Sequence, residues 1–354
     1  MEYMNENLFL LLFFLFTGFL LALDLGVVHK KDREVTFKEA ALWTGIYIGI
    51  ALIFYVLLLL HAEWVHGVET IEQLQALNLK HGHGLNFDGK TFEEGVKMYR
   101  HAMSMEYLTG YLIEKSLSLD NIFVMLMIFI GFSVDRKYYH RVLFYGILGA
   151  IVLRFIFIFA AAALIQKFHW ILLIFGGFLV YSGIKMLIKH KRAKKENIDI
   201  EHHPVMRFLS KRNLSTSQFH GHDFFAKIDG RWLCTPLFVV LVIIEFSDVI
   251  FAFDSIPAIF SVTQDPYIVF YSNIFAILGL RSLFFMLESV IDKFRFLKLG
   301  LALLLIFIGA KMLLDPFLHI STGISLIVIV AILTTCILAS IFIPEKKNSE
   351  EVSE

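Results

Sequence analysis

Nine apolar runs dominate this chain, at about residues 8–28, 40–60, 106–132, 142–165, 170–189, 235–260, 268–290, 299–315 and 322–343. Each is close to the ~20 apolar residues that a helix needs to cross the hydrocarbon core of a bilayer. Inside lipid every backbone N–H and C=O must be satisfied within the protein, which leaves helices as the solution for segments of this kind. The runs therefore predict an all-α polytopic membrane protein with about nine transmembrane helices. Composition agrees: 57 % of the 354 residues are hydrophobic, 37 are Phe, and only 18 % are charged. Such a chain is neither an ordinary cytosolic enzyme nor a disordered one. With a formal net charge of zero, it also lacks the basic excess that a nucleic-acid binder needs.

Charge placement predicts the orientation. Glu2 and Glu6 precede the first run, while Lys30, Lys31 and Arg33 follow it. That is the reverse of a cleavable signal peptide, so the first run reads as a retained span with its N-terminus outside. About two thirds of the 32 basic residues fall in 29–39, 133–141, 189–231, 291–298 and the tail, and about a sixth in the loops between. Basic loops stay in the cytoplasm, which places the C-terminus there. Two long polar segments interrupt the runs. The basic stretch 190–234 is a cytoplasmic loop suited to partner proteins. The outer stretch 61–105 carries His61, His66, His81, His83 and His101 and reads as a solvated loop rather than a metal-collecting patch. Cys234 and Cys336 form no CxxC pair and read as apolar fillers.

The sequence repeats itself. Glu114, followed after five intervening residues by Asp120-Asn121-Ile122, is matched by Asp248, followed after five by Asp254-Ser255-Ile256. A run with a central arginine follows each, Arg154 or Arg281. A third run then ends in Gly183-Ile184-Lys185-Met186-Leu187 or Gly309-Ala310-Lys311-Met312-Leu313. Three spans per unit is an odd number, so the units are expected to be inverted relative to one another, an arrangement of secondary transporters with the substrate site where the repeats meet. The expected organisation is two spans and the His-bearing loop in 1–105, a first three-helix repeat in 106–189, the loop 190–234, the inverted repeat in 235–315, and a last span with its tail in 316–354.

Ionisable groups inside a bilayer are costly and mark function by default. The third and sixth runs hold Glu114, Asp120, Glu245, Asp248 and Asp254, against Lys115, Arg154 and Arg281 as the nearby bases. An acidic surplus in low dielectric attracts a cation or binds protons. Glu114, Ser118 and Asn121 share one helical face, as do Glu245, Asp248 and Ser255, with Asp120 and Asp254 turned aside. Pro257 cannot donate to the carbonyl of Phe253, which adds a free oxygen beside Asp254. Carboxylates with Asn and Ser oxygens form a hard shell that suits Mg, Ca or Mn. No histidine falls at mid-membrane, so a haem or buried Zn centre is not supplied. Arg154 and Arg281 either release the acids when a cation arrives or form permanent ion pairs; both readings stand. Asn273 is a further candidate oxygen ligand. With no GxSxG, HExxH or Walker sequence, no enzyme activity, tightly bound cofactor or ATP site is expected.

Several strings resemble the TerC family of integral membrane proteins, and within it the Alx subgroup. They are Leu23-Asp24-Leu25-Gly26, Thr109–Leu117 with Asp120-Asn121, and Gly149–Arg154 in the first half. In the second half they are Glu245–Ala252, Asp254–Phe260 and Ser272–Arg281. The resemblance covers about 8–343 and departs in the longer His-bearing segment 61–105. It implies an inner-membrane protein related to the lysine-exporter superfamily, whose members are associated with tellurium-ion resistance, pH-responsive expression and manganese export. Its acidic signature falls on Glu114, Asp120, Asp248 and Asp254. The resulting expectation is a divalent-cation exporter for Mn2+, proton-coupled, with Asp120 and Asp254 as ligands. Asn121 and Ser255 add oxygens, and Glu114 and Asp248 complete the shell or carry protons. A membrane redox modulator and a scaffold that delivers metal to secreted proteins are the alternatives.

Overall fold

The computed structural model describes residues 6–26, 35–168, 170–191, 216, 221, 223–228, 230–288, 296–318 and 320–342. Eleven α-helices carry nearly all of it: α1 Glu6–Gly26, α2 Phe37–His61, α3 Ile71–His81, α4 Phe92–Gly131, α5 Arg136–Lys167, α6 Ile171–Lys191, α7 Pro236–Phe260, α8 Pro266–Leu278, α9 Leu280–Glu288, α10 Leu297–Leu314 and α11 Thr322–Phe342. A single helical turn of 3₁₀ type spans Ala62–Val65. The purely helical expectation misses one small element, an antiparallel hairpin of β1 Phe225–Ile228 and β2 Arg231–Cys234. Gly230 turns it at φ +78°, a conformation that glycine adopts without strain. Most of the basic loop 190–234, with its expected role in partner binding, lies outside the described residues.

Among the described residues, six helices are long and apolar enough to cross a membrane, and α8 with α9 makes a seventh if the bent pair is one span. The nine expected runs are all helical, so the shortfall has particular causes. Helix α4 is excluded by Glu114, Lys115 and Asp120 within its apolar part, and α10 is short. The run 268–290 is broken at Gly279 by a 41° bend. The Lys115 ammonium donates to the carbonyl of Ala276 at 3.2 Å. A cation there satisfies a carbonyl that the end of α8 leaves without a helical partner. Large apolar side chains line the outer faces, among them Leu15, Ile53, Val152, Ile174, Ile250 and Ile327, as contact with lipid requires.

Helix α4 is the hub and packs against α2, α7 and α8, while α5 packs on α7. At 40 residues it is about 60 Å long, roughly twice the hydrocarbon thickness. It starts at a capping box, Thr91 with Glu94, well before its apolar part. Helices α6 and α10 make the closest approach. A Cβ on Gly309 would lie 2.6 Å from the Gly176 carbonyl oxygen and 2.8 Å from the Val180 nitrogen, so the two backbones touch where side chains are absent. Small residues at such crossings allow close packing where lipid offers no hydrophobic drive.

Segment 61–105 corrects the expectation of a solvated loop. Capping boxes at Thr70 with Gln73 and Thr91 with Glu94 set α3 and the start of α4, the sequence signature of a helix start. These elements fold down over Asp265 at the start of α8, and His81, Tyr99 and Glu106 are buried.

Candidate metal-binding site

Arg154 stands at the centre of the molecule and is 1 % exposed. Helix α5 brings it between α4 and α7. Its Nε and Nη2 donate to the two carboxylate oxygens of Asp248 at 3.1 and 2.9 Å. Its Nη1 pairs with Glu114 and donates to Asn273 Oδ1 at 3.3 Å. Asn273 in turn donates from Nδ2 to Glu114 at 3.0 Å, and Asn121 donates to Asp248 at 3.3 Å. Every member of this cluster is buried. The planar fork of a guanidinium suits the bidentate grip on Asp248. One cation between two carboxylates leaves the cluster with one net negative charge, in a place where charge is expensive.

On one side of this cluster lies a cavity of about 70 Å3 between α4, α6, α7 and α10. It is lined by Glu114, Asp120, Asn121, Asp254 and Ser255. Two oxygens of these residues are buried without a hydrogen-bond partner: Asn121 Oδ1 and Ser255 Oγ. Buried polar atoms are almost always paired, so both are ready to serve a ligand that the protein does not itself supply. Ser182, which the sequence reasoning missed, lines the same cavity and donates to Asp254 at 3.0 Å. Its signal was its place one residue before the repeated Gly183–Leu187 string.

A second, much smaller cavity, of about 10 Å3, lies along α5, α7 and α9 and is lined by Glu245, Asp248 and Arg281. Glu245 Oε2 is buried and unpartnered. Its carboxyl rests on Gly149, where a Cβ would sit 2.1 Å from Oε1. Arg281 Nη1 lies 2.9 Å from His140 Nε2.

The placement differs from the helical-face argument in three ways. Asp248 and Ser255 do not share a cavity, because α7 passes from one cavity to the other within the two turns between them. Asp120 and Asp254 are not turned aside, because four helices enclose the first cavity and it accepts side chains from a wide arc. Asn273 sits on the Arg154–Glu114 pair rather than in either cavity. Helix α7 also runs on through Pro257 to Phe260.

A third polar cluster occupies the 61–105 segment. His66 Nε2 lies 2.7 Å from Asp265 Oδ2, and Asp265 caps α8 by accepting from the Tyr267 N–H at 2.9 Å. His83 Nδ1 lies 3.0 Å from Glu106. Burial lowers His81 below the ordinary imidazole value. Burial pulls His83 down too, but the Glu106 carboxylate outweighs it and the value is raised. Burial alone would raise Asp265, yet His66 holds it well below the usual carboxylate range. His61 stacks on Trp64, and His101 is exposed.

The sequence profile of the "Integral membrane protein TerC family" matches residues 99–348. An uncharacterised membrane protein of Myxococcus xanthus is 43 % identical over 329 residues, 93 % of this chain and 90 % of its own. A protein of Photorhabdus laumondii is 41 % identical over 332 residues, 94 % of this chain and 93 % of its own. One of Escherichia coli K12 is 42 % identical over 315 residues, 89 % and 88 % of the two chains. The last two carry the name of a proposed membrane-bound redox modulator, Alx. No solved structure matches the chain.

Proposed function

The chain belongs to the TerC family of integral membrane proteins, and from that premise we propose that it exports a divalent metal cation, Mn2+, across the cell inner membrane. The observation that carries this reading is the cavity holding Glu114, Asp120 and Asp254 with the unpartnered oxygens of Asn121 and Ser255. It is a set of hard oxygen donors with an excess of negative charge, the chemistry that Mn2+ and Mg2+ favour. In this reading Asp120 and Asp254 hold the ion, Asn121 and Ser255 add neutral oxygens, and Glu114 is shared between the ion and Arg154.

Arg154 then works as an internal competitor. With no ion it neutralises Glu114 and Asp248 together. An ion in the first cavity draws Glu114 away, and Arg154 keeps Asp248, which faces the second cavity. The guanidinium thus separates two cavities and moves only when the cargo replaces its charge. Export against a gradient needs a coupled flux, and Glu245, unpartnered in the second cavity, is the carboxylate placed to carry the counter-moving proton. The reading takes α4–α6 and α7–α10 as inverted repeats that rock about the Gly176–Gly309 crossing, with nine spans, an outer N-terminus and a cytoplasmic C-terminus. Transport, not catalysis on a substrate, is the activity.

The test is the manganese content of cells expressing wild type or Asp254→Asn at equal protein levels. Wild type lowers cellular manganese, and the variant, isosteric but uncharged, does not. Equal manganese in both overturns the assignment of the cavity. A flavin or haem spectrum in the purified protein would favour the redox reading instead.

A further inference from the structure

Outside the membrane-spanning helices, three chain segments meet at a point the transport cavity does not include. His66 follows the 3₁₀ turn, His81 ends α3, and Asp265 caps α8. One ligand atom of each lies within 4.8 Å of those of the other two. The His66 and Asp265 side chains are 4 % and 0 % exposed, and His81 is 2 % exposed. Gly82, in the left-handed region at φ +66°, turns the chain directly after His81 so that His83 comes alongside, with 5.9 Å between the ring centroids.

We propose that His66, His81 and Asp265 form a second metal site, selective for Zn2+ or a similar borderline cation and separate from the transport cavity. The donor atoms decide the class. Two imidazoles and one carboxylate are the three-ligand set of open zinc sites, whereas the lining of the intramembrane cavity holds carboxylates and no histidine. Two further observations point to a ligand. His81 Nδ1 faces the Gln264 carbonyl oxygen at 3.4 Å, and its Nε2 is buried with no partner. His83 repeats the pattern, with Nδ1 on Glu106 and Nε2 buried and unpartnered. A histidine that gives one nitrogen to a carbonyl or carboxylate and keeps the other bare is oriented as metal-bound histidines are. An unpartnered imidazole nitrogen in a dry place is otherwise a pure cost. A bound ion would pin the 61–105 segment to the start of α8, the helix that also carries Asn273.

The experiment uses the purified full-length protein, stripped with chelator and titrated with Co2+ as a spectroscopic stand-in for Zn2+. Wild type is expected to bind one Co2+ with visible ligand-field bands of an N/O site, displaced by equimolar Zn2+ but not by Mn2+. His81→Gln and Asp265→Asn weaken binding at least tenfold, and Asp254→Asn leaves it unchanged. No visible Co2+ bands in wild type would overturn the proposal, whatever the variants do. So would wild-type affinity in a folded His81→Gln, or loss of the bands in Asp254→Asn, which would place the ion in the membrane cavity.

Discussion

Replacing Arg154 tests the central cluster most directly. The guanidinium is 1 % exposed and faces Glu114 on one side and both oxygens of Asp248 on the other. At an effective dielectric near 20, a unit pair at ~4 Å attracts by about 4 kcal/mol, and Arg154 makes two such pairs. Desolvation offsets much of this, and breaking a buried pair by removing one partner costs about 3–5 kcal/mol. Arg154→Gln takes the cluster from one net negative charge to two and belongs at the top of that range. Asp248→Asn takes it to neutrality while Arg154 keeps Glu114. Its cost is a lost charge-assisted hydrogen-bond pair, about 1.5–3 kcal/mol. The double variant leaves Glu114 as the one charge and is expected to lie above Arg154→Gln in stability. The assay is reversible unfolding in mixed micelles, read by the four tryptophans. A loss below about 1 kcal/mol for Arg154→Gln, the size of an exposed pair, would refute the reasoning. So would an Asp248→Asn variant less stable than Arg154→Gln.

Two further substitutions separate function from stability. Ser255→Ala removes a buried oxygen with no partner and is expected to leave unfolding free energy unchanged or raise it by up to ~1 kcal/mol, while the Mn2+ concentration for half-maximal transport into inverted vesicles rises several-fold. A stability loss above about 1 kcal/mol would mean that the hydroxyl is bonded in the native protein. Gly309→Ala forces a Cβ against the Gly176 carbonyl and the Val180 amide, where backbone cannot yield as a side chain can. The expected cost is about 2–3 kcal/mol, seen as a lower thermal midpoint, and an unchanged midpoint would disprove the close crossing of α6 and α10.

How much was legible in the sequence varies by element. The α1, α2, α5, α6, α7 and α11 spans were readable because run length against bilayer thickness is a local property. The break at Gly279 was not, because the group that meets the Ala276 carbonyl there is Lys115, more than 150 residues earlier in the chain. The 61–105 segment looked solvated because its histidines and acids stand out one by one. Its apolar residues, Leu74, Phe87, Val96 and Tyr99 among them, join the core, and His66 meets Asp265, which no local pattern encodes. The acids were conspicuous individually, yet a helical wheel placed Asp248 with Ser255 when α7 delivers them to different cavities.

By itself the sequence determined the class of the molecule and its costly residues: a lipid-embedded helical chain with Glu114, Asp120, Glu245, Asp248 and Asp254 in its third and sixth runs and Lys115, Arg154 and Arg281 as the nearby bases. Those follow from hydropathy and charge, which are additive along the chain. Only the tertiary structure decided which acids Arg154 neutralises, which line the cavity between α4, α6, α7 and α10, and that two histidines and an aspartate converge at the start of α8. These depend on distances of a few ångströms between residues 40 to 200 positions apart. At that range Coulomb energy and desolvation change by kilocalories per ångström, and helix packing, not sequence spacing, sets the distance.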